Sequence, residues 1–200
     1  MLLILHSCFG LIEETQGRIQ FIIGGMATAG DPYGDMCKRE MYILRQRYPN
    51  SFWANPEEFF TDGPLVNLGC DYGLMPSLFE PGGIVQMEFF VAGTPVVAFK
   101  TGGLKDTVLE TGNPDTSNGF TFQAYNQDDL KAAIHRAVAA YNQPDVYAQL
   151  RHVAWNSVID SKDVAFNWLT EFGRIRRRFV TSKDDVEAAL ERICKQELSS

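Results

Sequence analysis

Two glutamates, Glu80 and Glu88, flank a stretch of backbone that could bind an anion. A glycine pair, Gly82 and Gly83, follows Glu80 closely, and a helix is predicted to begin near Ile84. Backbone amides at the start of a helix, reached through glycines, bind phosphate readily. Carboxylates accept hydrogen bonds from the hydroxyl groups of a sugar. The spacing therefore favours a pocket for a ligand that carries both phosphates and a sugar.

A second glycine pair, Gly102 and Gly103, lies in the loop that begins at Lys100. It follows the predicted strand at 95–99, while the first pair follows the predicted strand at 72–76. Ligands of parallel sheets bind at the carboxyl ends of the strands, so two glycine loops at neighbouring strand ends favour one shared site. The alternative, from the residues alone, is an ordinary strand–turn–helix crossover with two exposed glutamates, since Gly-Gly turns are common.

Short apolar runs alternate with amphipathic segments along the chain. The runs predict strands at 19–23, 51–54, 72–76, 95–99 and 119–122. Helical signals predict helices at 2–16, 31–48, 64–69, 84–92, 127–142, 144–157, 161–178 and 183–196. This alternation predicts an α/β fold with a doubly wound parallel sheet. We expect residues 1–180 to form the domain, cut at its N-terminal end, and residues 181–200 to form a helical tail.

Composition excludes several classes of protein. The 200 residues include 18 Lys and Arg against 25 Asp and Glu, a formal net charge of -7, which argues against nucleic acid or an anionic membrane as the main partner. Mean hydropathy is -0.15, and no apolar run approaches the ~20 residues of a membrane-spanning helix. The 4 cysteines and 3 histidines lack metal-ligand spacing, so we expect reduced thiols and no metal or other cofactor.

Three segments together resemble a known family. Residues 71–88 read DYGLMPSLFEPGGIVQME, residues 93–97 read GTPVV, and residues 100–108 read KTGGLKDTV. In this order they resemble the glycogen and starch synthases, which carry D-x-x-L-x-P-S-x-F-E-P-x-G-L, then G-T-x-P, then T-G-G-L-x-D-T-V. A weaker likeness covers roughly residues 1–180. The resemblance implies the C-terminal half of a retaining glucosyltransferase of the GT-B type, in which two Rossmann-like domains face a cleft.

The resemblance also implies roles for the residues of the two loops. Glu80 corresponds to the first glutamate of the family's E-x7-E pattern, which contacts the transferred glucose and is needed for turnover. Gly82, Gly83 and Ile84 correspond to a loop whose amides contact glucose and the distal phosphate, and many relatives have cysteine in place of Gly82. Glu88 corresponds to the glutamate that holds the ribose hydroxyls in many relatives. The second loop, which lines the donor site, corresponds to Thr101, Gly102, Gly103 and Leu104.

By this resemblance the full enzyme transfers glucose from ADP-glucose or UDP-glucose to an α-1,4-glucan, with retention. Relatives carry an arginine and a Lys-Gly motif just before the helix at 2–16, and these cations and the N-terminal acceptor domain are missing from this chain. We therefore expect a donor-binding domain that is inactive alone, in the cytoplasm or in a plastid of a plant or alga. The alternatives are a non-catalytic module that binds nucleotide sugars or regulates, and a related transferase such as sucrose synthase.

Overall fold

The structure is a computed structural model that describes residues 1–26, 30–58 and 61–176, with side chains as far as Arg174. The chain divides into two compact units, Met1–Val158 and Ile159–Ser200. The predicted tail at 181–200, with its helix at 183–196, lies outside the described residues. No helix within the described ranges combines the length and the apolar character that crossing a bilayer requires.

Strands and helices alternate through the described residues. The strands are β1 (Phe21–Gly24), β2 (Phe52–Asn55), β3 (Gly73–Met75), β4 (Val96–Phe99) and β5 (Gly119–Phe122). The helices are α1 (Leu2–Glu14), α2 (Pro32–Arg47), α3 (Gly63–Gly69), α4 (Val85–Val91), α5 (Leu104–Thr107), α6 (Gln127–Tyr141), α7 (Pro144–Asn156) and α8 (Ser161–Arg176). The strands lie where the apolar runs predict them, with ends shifted by a residue or two. Helix α5 has no counterpart among the predicted helices.

Side-chain caps begin two of the long helices. The Asp31 carboxylate accepts a hydrogen bond from the Tyr33 N–H at 3.0 Å, and Pro32 takes the first helical position of α2. A proline is well tolerated there because an N–H at that position has no partner inside the helix. The Asn126 side chain accepts a hydrogen bond from the Asp129 N–H at 2.8 Å at the start of α6. These caps involve residues close in sequence, so both starts are predictable.

All strand pairs among the described residues are parallel, which confirms the α/β class with parallel strands. The strands form two sheets, β1–β2 and β3–β4–β5, where the sequence predicts a single sheet. Within the described ranges, no strand pairs with both β1 and β3 to join the two sheets. Both sheets nevertheless contribute to one apolar core, because Ile23 and Ala54 of the first lie in the same cluster as Val97 and Phe122 of the second.

Strand β4 positions the two glycine loops. It lies between β3 and β5, and Val96, Val97 and Ala98 are all buried, as expected of a strand covered on both faces. Leu74 of β3 pairs with Val97 in parallel register, so β3 and β4 end at the same edge of the sheet. The loop after β3 and the loop after β4 therefore begin next to each other, as the order of the predicted strands requires.

The outer edge of β5 is covered by a charged pair. The Glu110 carboxylate accepts hydrogen bonds from the Thr121 N–H at 2.8 Å and from the Arg136 guanidinium at 2.7 and 3.0 Å. Arg136 also donates to the Thr121 carbonyl oxygen at 2.8 Å. Partial burial raises the pKa of Glu110, but the hydrogen bonds and charge of Arg136 and the Thr121 N–H outweigh burial and leave that pKa below its usual value. These contacts fasten α6 to the edge strand of the sheet.

Glu110→Gln is expected to lower the free energy of unfolding by about 1 kcal/mol at pH 7, since it removes a charge-assisted contact whose arginine is partly exposed. A carboxyl group whose pKa is lowered by folding stabilises the protein above its unfolded pKa of about 4.3, and this contribution is lost as the pH falls through the folded pKa. The difference between wild type and variant should therefore shrink in acid. Urea unfolding at pH 7 and in acid measures this difference in the free energy of unfolding.

Glu40→Gln is the matched control, because Glu40 has no hydrogen bond or ion pair within the described ranges. An equal loss of stability in both variants would contradict the stabilising role of Glu110.

Candidate functional site

The site is built on the loop that follows β3. Phe79 is exposed, and Glu80 is partly buried with its backbone held by the second loop. The Glu80 carbonyl oxygen accepts a hydrogen bond from the Gly103 N–H at 3.0 Å, and the Thr101 hydroxyl donates to the Leu78 carbonyl oxygen at 3.4 Å. Within the described part of the chain, the Glu80 carboxylate has no hydrogen bond or ion pair. The loop is thus held through its backbone, and its carboxylate remains available to a ligand.

The two loops touch backbone to backbone. A Cβ atom at Gly102 would lie 1.8 Å from the Glu80 carbonyl oxygen, and one at Gly103 would lie 2.3 Å from the Gly82 carbonyl oxygen. Gly102 also has a φ of +45°, in the region that disfavours any side chain. The second glycine pair is therefore required by the close approach of the first loop. The structure brings the two predicted loops together at one edge of the sheet.

Gly83 lies between two polar side chains. Its φ is +62°, and a Cβ atom there would lie 2.8 Å from Gln86 Oε1 and 3.0 Å from Glu80 Cγ. Gly82 differs, because its φ is not in the left-handed region and a Cβ atom would meet no heavy atom within 4 Å. Position 82 therefore has room for a small side chain, which is consistent with the cysteine that the resemblance leads us to expect there in many relatives.

The remaining predicted site residues have contrasting environments. Glu88 lies exposed in the first turn of α4 and, within the described residues, has no hydrogen bond or ion pair. Ile84 is the N-cap of α4, and its side chain is exposed. Leu104 is fully buried in the core with Phe90, so only its backbone could face a ligand. The roles assigned to these residues by resemblance stay predictions.

Gln86 is a polar site residue that the sequence reasoning missed. Its side chain is fully buried in α4, and its Nε2 donates to the carbonyl oxygens of Gly82 and Gly83 at 3.4 and 2.8 Å and to the Thr107 hydroxyl at 3.3 Å. The Thr107 hydroxyl in turn donates to the Gly103 carbonyl oxygen at 2.8 Å. The available signal was spacing, because Gln86 lies four residues before the core residue Phe90 and so shares its helix face.

Gly83→Ala is expected to lower the free energy of unfolding by about 2 kcal/mol, since it combines a left-handed backbone with contacts to Glu80 and Gln86. Gly82→Ala, one residue earlier, should change it by less than about 0.5 kcal/mol, since the side chain enters open space. Thermal unfolding of the pair makes the comparison, and an equal loss in both variants would contradict the geometry of Gly83.

The sequence profile of the family described as glycosyl transferases group 1 matches residues 10–150. The chain belongs to this family. The match includes both glycine loops, so the candidate site lies inside the group 1 glycosyltransferase domain. Within the described ranges, no group of three or more His, Cys, Asp or Glu side chains could hold a metal ion.

The curated relatives that the chain resembles include glycogen synthases. The chain is 38% identical to a glycogen synthase of Kosmotoga olearia over 157 residues, 74% of this chain and 31% of that protein. It is 34% identical to a glycogen synthase of Lacticaseibacillus casei over 167 residues, 80% of this chain and 32% of that protein. The chain thus spans about a third of the length of these two relatives.

Solved structures agree on the fold. The catalytic domain of starch synthase IV from Arabidopsis thaliana, bound to ADP and acarbose, superposes with a TM-score of 0.67 at 24% identity, over 84% of this chain and 34% of that one. A sucrose-phosphate synthase from Thermosynechococcus elongatus superposes with a TM-score of 0.61 at 20% identity, over 86% of this chain and 43% of that one. At these identities the likeness shows the GT-B type of fold.

Proposed function

We propose that the full-length protein carrying this chain transfers glucose from ADP-glucose or UDP-glucose to an α-1,4-glucan, with retention at the transferred carbon. This chain supplies the donor-binding domain of that protein. The observation that carries the proposal is the Glu80 loop, which lies backbone to backbone against Gly102 and Gly103 at the carboxyl ends of adjacent strands. The glycogen synthases among the relatives support the choice of substrate.

The proposed chemistry places negative charge on a leaving nucleoside diphosphate. Catalysis of such a transfer depends mainly on positioning and on electrostatic stabilisation of the phosphate oxygens. The backbone amides of Gly82, Gly83 and Ile84 bind the distal phosphate, and Glu80 contacts the transferred glucose. Glu88 binds the ribose hydroxyls, and the segment 101–104 closes the donor site from the adjacent strand.

The acceptor glucan is proposed to bind a further domain of the full-length protein. The Arg and Lys side chains that neutralise the diphosphate are proposed to lie outside this chain as well. The support is that the chain spans about a third of the length of two glycogen synthases that it resembles. We therefore expect this chain to bind donor without turning over by itself. The proposed compartment is the cytoplasm, with a plastid as the alternative.

The test compares the full-length protein with the 200-residue chain. Each is incubated with labelled ADP-glucose or UDP-glucose and with either glycogen or fructose as acceptor, and transfer of label to each acceptor is measured. Incorporation into glycogen by the full-length protein, but not by the 200-residue chain, supports the proposal. The sugar nucleotide that is used faster identifies the donor. Transfer to fructose instead of glycogen would favour the sucrose-synthase alternative. Donor binding without transfer to either acceptor would favour a non-catalytic nucleotide-sugar-binding module.

A further inference from the structure

The Gln86 carboxamide orients two peptide groups of the first glycine loop. Its Nε2 donates to the carbonyl oxygens of Gly82 and Gly83, at 3.4 and 2.8 Å. Both carbonyl groups therefore point toward the buried side of the loop, where Gln86 is fully shielded from solvent.

The opposite ends of the same peptide groups must point the other way. A peptide unit is planar and trans, so its C=O and N–H point in opposite directions. The Gly82 carbonyl shares its peptide with the Gly83 N–H, and the Gly83 carbonyl shares its peptide with the Ile84 N–H. Within the described ranges these two N–H groups donate no hydrogen bond. They face away from Gln86 and remain available to an acceptor outside the loop.

The orientation of the Gln86 carboxamide leaves one of its polar atoms without a hydrogen-bond partner within the described residues. Gln86 Oε1 is buried and lacks a hydrogen-bond partner within the described residues. Rotating the carboxamide by half a turn would place this oxygen against the two carbonyl oxygens, so Nε2 must face them. A buried acceptor without a partner destabilises a fold, and such groups are concentrated at functional sites.

A second contact of Gln86 couples this orientation to the other loop. Its Nε2 also reaches the Thr107 hydroxyl, which donates to the Gly103 carbonyl oxygen. Gly103 in turn donates its N–H to the Glu80 carbonyl oxygen. One carboxamide therefore lies at the centre of a hydrogen-bond network that includes both loops of the site.

We propose that Gln86 is a positioning residue for donor binding: it holds the amides of Gly83 and Ile84 toward the diphosphate of the sugar nucleotide. The inference rests on the proposed function, since that function supplies the diphosphate. Gln86 itself does not touch the ligand. Its effect is transmitted through the direction of two backbone N–H groups.

The test measures donor affinity in the full-length protein by titration calorimetry with ADP-glucose and with UDP-glucose. Gln86→Met keeps the volume and removes the donor group, and we expect the affinity to fall about tenfold or more. Phe90→Leu is the matched control, because Phe90 is buried on the same face of α4 and has no hydrogen bond to the loop. It should lower thermal stability without a comparable loss of affinity.

Gln86→Glu supplies a readout that a purely structural role would not affect. An ionised carboxylate has only acceptors and would repel the carbonyl oxygens of Gly82 and Gly83, whereas a protonated one can donate its O–H to them. Burial raises the pKa of such a carboxyl group. The donor affinity of this variant should therefore recover as the pH falls from about 8 to about 6, while that of the wild type stays level.

The outcomes separate the inference from the function on which it rests. If the wild type binds donor, but Gln86→Met and Phe90→Leu lose affinity in proportion to their loss of stability, Gln86 is a packing residue only. A pH-independent affinity of Gln86→Glu leads to the same conclusion. If the wild type binds neither sugar nucleotide, the proposed function fails, and the inference fails with it.

Discussion

Replacing Glu80 by glutamine in the full-length protein is expected to reduce glucosyl transfer by about a thousandfold. Glu80 lies two residues before the first glycine pair, and its carboxylate has no hydrogen bond or ion pair within the described residues. Its charge can therefore act on the transferred sugar as positive charge develops there. Because no protein contact is lost, the melting temperature should stay within about 1 °C of that of the wild type. Initial rates at saturating donor and thermal unfolding check the two parts of the expectation.

Two further variants make this result specific. Glu88→Ala should weaken donor affinity while retaining turnover at saturating donor, since its proposed contact is to the ribose and not to the reacting carbon. Glu40→Gln, on α2, should change neither quantity. A Glu80→Gln enzyme that works at nearly the wild-type rate would show that the catalytic role belongs to another residue.

Gly102→Ala is expected to disrupt the site by forcing its two loops apart. The new Cβ atom would lie 1.8 Å from the Glu80 carbonyl oxygen, an overlap between two backbones that no rotamer change can relieve. The loops must separate, which removes the hydrogen bond from the Gly103 N–H to the Glu80 carbonyl oxygen and shifts the Glu80 carboxylate. We expect a loss of about 3 kcal/mol in the free energy of unfolding. Donor affinity in the full-length protein should fall by about a hundredfold.

Gly112→Ala is the matched control for this prediction. Gly112 has a φ of +79°, but a Cβ atom there would meet no heavy atom within 4 Å. Gly112→Ala therefore introduces the backbone strain of a left-handed alanine without introducing a clash between the loops. Urea unfolding and calorimetric titration of both variants separate the two effects. Equal losses would mean that strain, and not the contact, explains the need for glycine at position 102.

Much of the fold is readable from local sequence signals. The Asp31-Pro32 start of α2 and the apolar run that ends at Phe99 involve residues close together in the chain, so their patterns appear directly in the sequence. Helix α5 is missed because four residues are too few to show a helical period. The division into two sheets is missed because strand pairing between distant segments leaves no local pattern.

The candidate site was predictable in outline and not in its contacts. Strand order and the two glycine pairs predict neighbouring loops. The contact between Gly102 and Glu80 depends on how two distant segments pack, and no propensity or period encodes it. Gln86 illustrates the same limit, because a glutamine on a short helix is ordinary until its buried surroundings are known.

The close approach of Gly103 to Gly82 also constrains how this domain can be recombined with its relatives. The two loops fit together as one structural unit, although about twenty residues separate them in the chain. A chimera that takes only the segment 76–84 from a relative would pack that segment's backbone against Gly102 and Gly103 of this chain, whose contacts fit the original loop. Loop exchanges between this domain and its relatives should therefore transfer 76–84 and 100–107 together, with crossover points in the buried strands that precede them.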